Sequence, residues 1–134
     1  METKPPTAEP ANTLRKSERL RLQRSIEQLY KQGQSVRSFP FKLIYLCTEA
    51  AGQPSVSIIT AVSKRNLRRA NARNYIKRRI RESYRLRKHA LAAHIADGNR
   101  SLCISFMYLT KEKLPFRTID AAIAKGLALL IRKL

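Results

Sequence analysis

The groups in this chain best equipped for chemistry are its cations. Lys64, Arg65, Arg68, Arg69, Arg73, Lys77, Arg78, Arg79, Arg81, Arg85, Arg87 and Lys88 fall within 25 residues, and Glu82 is the sole acid among them. Those twelve belong to a total of 28 Lys and Arg, which against nine acids leave a net charge of +19. Clustered cations of this kind gain affinity for a polyanion by releasing its condensed counterions, so nucleic acid is the partner the charge implies. Arg outnumbers Lys in the run, which favours bidentate phosphate contacts and stacking on bases over simple point charge.

Other chemistry is poorly supplied. The acids Glu2, Glu9, Glu18, Glu27, Glu49, Glu82, Asp97, Glu112 and Asp120 are scattered singly, whereas a two-metal nuclease needs several carboxylates converging on its ions. His89 and His94 have no evident partner and read as structural or surface residues. Cys47 and Cys103 lie inside apolar runs and read as reduced, buried thiols; with two histidines so far from them they make no zinc-ligand spacing. Neither a P-loop nor a nucleophile elbow is present. The sequence therefore assigns the protein no catalytic residue and no metal ligand.

The elements that must position the basic run can be read in order. At 134 residues and 43% hydrophobic content the chain allows one globular domain. Residues 1–13, rich in Pro, Thr and Ala, read as a flexible tail, and 14–134 as a single domain. METKPPTAEP has no signal-like apolar region, and no run approaches the ~18–20 apolar residues of a membrane span, so a cytoplasmic protein without a membrane partner is expected. From Ser17, the spacing of Leu22, Ile26, Leu29 and Tyr30 predicts a first helix ending at Gly33. Phe39–Cys47 and Ser55–Ser63 read as strands whose short Gly-Pro connection suggests an antiparallel hairpin, with extended residues near 35–38 adding to the sheet. The basic helix follows, expected to break near Arg87, resume and stop at Gly98. Ser101–Leu109 is a further strand, and Pro115 opens a last helix with Phe116, Ile119, Ile123, Leu127 and Leu130 on one face. The order α-β-β-(β)-α-β-α describes an α+β fold, a two-layer α/β sandwich.

Within the basic helix, Ala72, Ile76, Ile80, Ser83 and Tyr84 gather on one side at about 100° per residue, and Asn74, Lys77, Arg78, Arg81, Arg85 and Lys88 on the other. An ordinary exposed face would mix Glu with Lys at i,i+4; this one stacks like charges and tolerates their repulsion. Asn71 is the expected N-cap, and the cations around it crowd the positive end of the helix dipole, where exposed N–H groups suit a phosphate. These features mark a helix that binds a nucleic-acid backbone. They leave open whether the partner is DNA or RNA.

The stretch ANARNYIKRRIRESYRLRK, preceded by AVSKRNLRR, resembles the Arg-Asn-Arg motif region of the bacterial ribonuclease P protein component. The likeness extends to the first helix and its Gly33, to SVRSFPFKLIYL, and to the late strand and terminal helix, about Leu14 to Leu134. It implies a left-handed βαβ crossover through the basic helix. It also implies partnership with a catalytic RNA subunit and precursor tRNA, with no small-molecule substrate. In that partnership the 5′ leader is removed with Mg2+ held mainly by the RNA. Carried over by position, RNA contact falls on Arg73, Asn74, Lys77, Arg78 and Arg81, with Lys64, Arg65, Arg68 and Arg69 leading in. Tyr75 stands where the motif usually has its second arginine. A leader cleft between first helix and sheet would include Tyr30, with Ile26 where an aromatic is common, and could include Phe41 and Tyr45. The alternative from another class is a structural RNA-binding protein with no role in cleavage.

Overall fold

The structure, a computed structural model, describes residues 23–50 and 52–134. The expected tail and the start of the first helix between Ser17 and Leu22 lie outside the described residues. The elements are α1 (Gln23–Gln32), β1 (Gln34–Ser38), β2 (Phe41–Glu49), β3 (Ser55–Val62), α2 (Ala70–Asp97), β4 (Arg100–Tyr108) and α3 (Phe116–Lys133).

The four strands form one sheet in the order β1-β2-β4-β3. β1 and β2 pair antiparallel across the turn at Phe39-Pro40, β2 and β4 antiparallel, and β3 and β4 parallel. The expected hairpin between the Phe39–Cys47 and Ser55–Ser63 runs is therefore corrected. The two strands run in opposite directions, but β4 is inserted between them. β4 suits that interior place because it is apolar on one face, with Leu102, Ile104, Phe106 and Tyr108 buried, and buries Ser105 on the other. β3, α2 and β4 make up the parallel βαβ unit for which the family likeness implies a left-handed crossover.

Both long helices pack on one face of the sheet. Phe41 and Leu43 of β2, Val56 and Ile58 of β3, and Ile104 and Phe106 of β4 meet Ile76, Ile80, Tyr84, Leu91 and Ile95 of α2 and Ile119, Ile123, Leu127 and Leu130 of α3. Tyr84 of α2 packs on Phe106 of β4 at 5.9 Å between centroids, joining helix to sheet, and Phe41 of β2 packs on its cross-strand partner Tyr108 of β4 at 5.5 Å. α3 comes closest at Gly126, where an added Cβ would stand 3.2 Å from both methyls of Leu43. Nearby, the Ser38 hydroxyl donates to the Ala122 carbonyl at 2.7 Å.

α2 is one unbroken helix of 28 residues, about 42 Å long. The break expected near Arg87 does not occur, because Leu91 and Ile95 continue the stripe of Ile76, Ile80 and Tyr84 in phase and no Gly or Pro intervenes. Lys88 also departs from its expected exposed position. It is 7% exposed and sits between Tyr84 and Leu91 along the helix, where a long aliphatic stem can be covered. The helix stops at Gly98, and the left-handed residue is the next one, Asn99 at φ 51°, a residue type that tolerates that conformation.

α2 and α3 are tied by Asp120. Its carboxylate accepts from Arg87 Nε at 2.8 Å, Arg87 Nη2 at 2.7 Å and the Ser83 hydroxyl at 2.6 Å. The Arg87 hydrogen bond, helped by Ser83, holds the Asp120 carboxyl below the usual carboxylate range. Asp120→Asn is expected to cost about 1–2 kcal/mol in urea unfolding at neutral pH. Since the folded-state value is the depressed one, the contribution is complete above the unfolded carboxylate's range near pH 4. It is lost as pH falls through the folded value, so the difference between wild type and variant should shrink there.

Candidate nucleic-acid interface

The loop from Ser63 to Arg69 carries four cations and is fixed from beneath. Leu67 is buried and its N–H donates to the Ser63 carbonyl at 3.0 Å. The Asn66 amide side chain donates to the Tyr108 carbonyl at 3.1 Å, pinning the loop to the end of β4. Arg73 reaches back from the first turns of α2, its Nη1 donating to the carbonyls of Leu67 at 2.9 Å and Arg68 at 2.8 Å. Lys64, Arg65, Arg68 and Arg69 are thereby left exposed on a constrained backbone.

The cap differs from expectation. Arg69 occupies the N-cap position in extended conformation with no side-chain cap, and Asn71 is exposed within the first turn. The Arg73 clamp fixes the entry of the chain earlier than an Asn71 cap would. The first turn carries no acid, so its N–H groups and the flanking guanidinium groups share one positive locale suited to an anion.

Along α2, Asn74 and Arg78 are exposed, and Lys77 and Arg81 half-buried, on the side away from Ile76 and Ile80. Farther along, the cations serve the fold. Arg85 binds Glu82 at 2.6 and 3.2 Å, Arg87 binds Asp120, and Lys88 is buried. The Arg85 hydrogen bond lowers the Glu82 carboxyl, keeping the one acid of the run charged and paired. These ion pairs thus engage cations beyond Arg81, and the rest of the run's positive charge, apart from buried Lys88, lies between Lys64 and Arg81.

The second part of the surface lies on the other face of the sheet. α1 contacts β2 and β4 but neither α2 nor α3, and its Leu29 is fully buried outside the main core. Gly33 permits this approach, because an added Cβ would stand 2.9 Å from both the Tyr45 carbonyl and an Ile44 methyl. The Tyr30 hydroxyl is 2.7 Å from the Ser105 hydroxyl, while the Tyr30 residue remains 41% exposed. Strand register places Ile44, Leu46, Cys103, Ser105, Met107, Ser57, Ile59 and Ala61 on this face. Among the described residues α1 contacts β2 and β4 but not β3, so the strip beside Tyr30 floored by Ile59 and its neighbours is a trough that no described helix covers. β3 runs directly from that floor into the basic loop.

Ile26 is half-buried on α1, on the trough side of the sheet. Phe41 and Tyr45 are corrected. They are 0% and 5% exposed and alternate onto the α2–α3 side, so neither presents a ring to the trough. The floor residues are the ones sequence reasoning missed. The signal was the alternation in SLCISFMYL, with Cys103, Ser105 and Met107 opposite Leu102, Ile104 and Phe106. The Cys103 thiol is pushed up by burial, which keeps it protonated and a poor nucleophile.

Tyr75 is half-buried against the core rather than extended toward solvent. Its ring carries the Arg79 guanidinium at 4.9 Å and the Lys113 ammonium at 4.5 Å from the centroid. Among the described residues no group of three or more His, Cys, Asp or Glu could hold a metal ion, and no helix is long and apolar enough to cross a membrane.

These contacts separate two motif cations by role. Arg73→Ala removes two hydrogen bonds that hold the loop from its inner side and is expected to lower unfolding stability by about 1–3 kcal/mol. Lys77→Ala, which removes no such bond, should change stability by about 0.5 kcal/mol or less in the same urea titration.

The ribonuclease P family model matches residues 14–127. The ribonuclease P protein component of Porphyromonas gingivalis strain W83 is 34% identical over 121 residues, covering 90% of this chain and 88% of the relative. Among solved structures, an RNase P protein from Staphylococcus aureus is 25% identical with a TM-score of 0.66, covering 89% of this chain and 93% of that one. The RNase P protein from Thermotoga maritima, 23% identical with a TM-score of 0.61, covers 87% and 97% and shares the fold. With its basic loop, motif helix and sheet trough in place, the chain belongs to the ribonuclease P protein family.

Proposed function

We propose that the chain works as the protein subunit of a ribonuclease P ribonucleoprotein, binding the catalytic RNA and the 5′ leader of precursor tRNA and assisting release of the leader. The observation that carries this reading is the continuity of two surfaces. The cations from Lys64 to Arg81 follow directly on the strand that floors the Tyr30 trough, so one single strand can meet both. Phosphates of the RNA partner fall to Lys64, Arg65, Arg68, Arg69, Lys77, Arg78 and Arg81, with Asn74 as a hydrogen-bonding neighbour. Arg73 orders the loop that carries these cations. A leader base stacks on Tyr30, whose hydroxyl is already held by Ser105.

The bond chemistry belongs to the RNA in this reading. On the same reading Mg2+ is held mainly by the RNA, as the family resemblance implies, and the protein acts by lowering repulsion between strands that converge there. Added to its matching catalytic RNA at low Mg2+, the chain is expected to stimulate leader removal from precursor tRNA. Absence of stimulation would favour a purely structural RNA-binding role, and cleavage by protein alone would refute the assignment of chemistry to RNA.

Two variants probe the surfaces separately. Lys77→Gln with Arg78→Gln should flatten the log–log salt dependence of RNA binding by roughly 0.7–0.9 for each phosphate no longer neutralised. Tyr30→Ala should weaken precursor tRNA binding by about 1–3 kcal/mol while sparing mature tRNA, measured with the assembled ribonucleoprotein. Equal weakening for the two tRNAs would remove the leader from the trough.

A further inference from the structure

Two cations far from the motif helix in sequence share one row of the sheet. Arg37 of β1 and Lys42 of β2 are direct cross-strand partners, Lys42 lies opposite Met107 of β4, and Met107 opposite Ala61 of β3. The row crosses all four strands, about 14 Å at the usual strand spacing. Alternation puts it on the α1 side, next to the row Ser35, Ile44, Ser105 and Ile59, where Ser105 holds the Tyr30 hydroxyl. Its β3 end leads through Val62 into the basic loop. Ser105 is fully buried, whereas Arg37 is exposed and Lys42, Met107 and Ala61 are half-buried, so this row is the more open of the two.

Like charges directly opposite each other on neighbouring strands are destabilising. Among the described residues neither Arg37 nor Lys42 forms an ion pair, and no acid stands on their row or on the next. The same hairpin presents an aromatic ring. Phe39, in the turn between β1 and β2, is 76% exposed, and the turn is pinned to the end of β4 by the Leu109 N–H, which donates to the Pro40 carbonyl at 2.8 Å. A rigid, exposed ring offers a base a stacking surface, and cations beside it offer the backbone a counter-charge. Together they are the means by which single-stranded nucleic acid is held with little regard to sequence.

We propose that Arg37, Lys42 and Phe39 form a further subsite for the single-stranded 5′ leader, on the far side of Tyr30 from the basic loop. The subsite rests on the leader-binding reading above and extends it along the strand. Strand order sets the succession of contacts, from the loop after β3, to Tyr30 over β4, to the hairpin of β2 and β1. The cations take backbone phosphates and the ring takes a base, so the subsite responds to leader length more than to leader sequence.

The test titrates the assembled ribonucleoprotein with mature tRNA, a short-leader precursor and the same precursor extended at its 5′ end by several nucleotides. Extension should tighten binding to the wild type about fivefold or more. Arg37→Gln with Lys42→Gln should abolish that gain and flatten the salt dependence for the long precursor by roughly 0.7 for each phosphate released. The short precursor and mature tRNA should bind this variant as they bind wild type. Phe39→Ala should diminish the gain and Phe39→Tyr retain it. In urea the midpoint of the double variant should not fall, since the substitutions relieve repulsion; a fall accompanying lost affinity would make the pair structural and overturn the subsite. No gain on extension in the wild type overturns it as well, and equal weakening for mature tRNA would place the pair against another part of the RNA. If Tyr30→Ala weakens both precursors while the hairpin variants bind them normally, the subsite is wrong and the leader reading survives. If Tyr30→Ala also spares both, the leader reading fails and takes the subsite with it.

Discussion

Seating a self-repelling helix on a sheet is the constraint behind the whole structure. Like charges at i,i+4 on α2 each cost a few tenths of a kcal/mol. Burying a single Ile, Leu or aromatic side chain returns about 1.5–3 kcal/mol. Ile76, Ile80, Tyr84, Leu91 and Ile95 are each at most 1% exposed, so burial wins by a wide margin. The excess is what permits the opposite side of the helix to carry so many cations. It also explains the length of α2. The charged turns need the apolar turns beyond them, through Ile95, as an anchor.

The cations divide according to which partner answers them. At the C-terminal end of the run, Glu82 and Asp120 hold Arg85 and Arg87 within the protein, and Lys88 is folded inward. At the N-terminal end the acids are absent, and the backbone is fixed instead by Leu67, Asn66 and the Arg73 clamp. Arg73 illustrates how one residue serves both purposes. Its guanidinium completes the loop that displays the other cations, so removing it would disturb a surface as well as a charge.

Much of this was readable in the sequence wherever periodicity carried the information. The apolar stripe of the basic helix, the strands and the face of the last helix all follow from spacing alone. Pairing did not, because a short Gly-Pro connection fixes the directions of two strands but says nothing about a third entering between them later in the chain. Phe41 and Tyr45 were ambiguous for a related reason. Alternation assigns them to one face together, but which face meets α1 and which meets α2 depends on contacts distant in sequence. The Tyr75 group was hidden because Lys113 lies 38 positions beyond it, in a segment with no periodic signal. A break was expected near Arg87, yet charge does not interrupt a helix whose buried side stays in phase.

The position of β4 has a consequence for how the chain is born. Translation delivers β1, β2, β3 and α2 before Arg100–Tyr108, the strand that must lie between β2 and β3. Until then β2 and β3 each offer an unpaired edge, and the apolar side of α2 has only part of its floor. Long-range pairing of this sort sets the pace of folding. The nascent chain therefore carries its most basic helix on β3 alone, and the sheet closes only once Arg100–Tyr108 has been made.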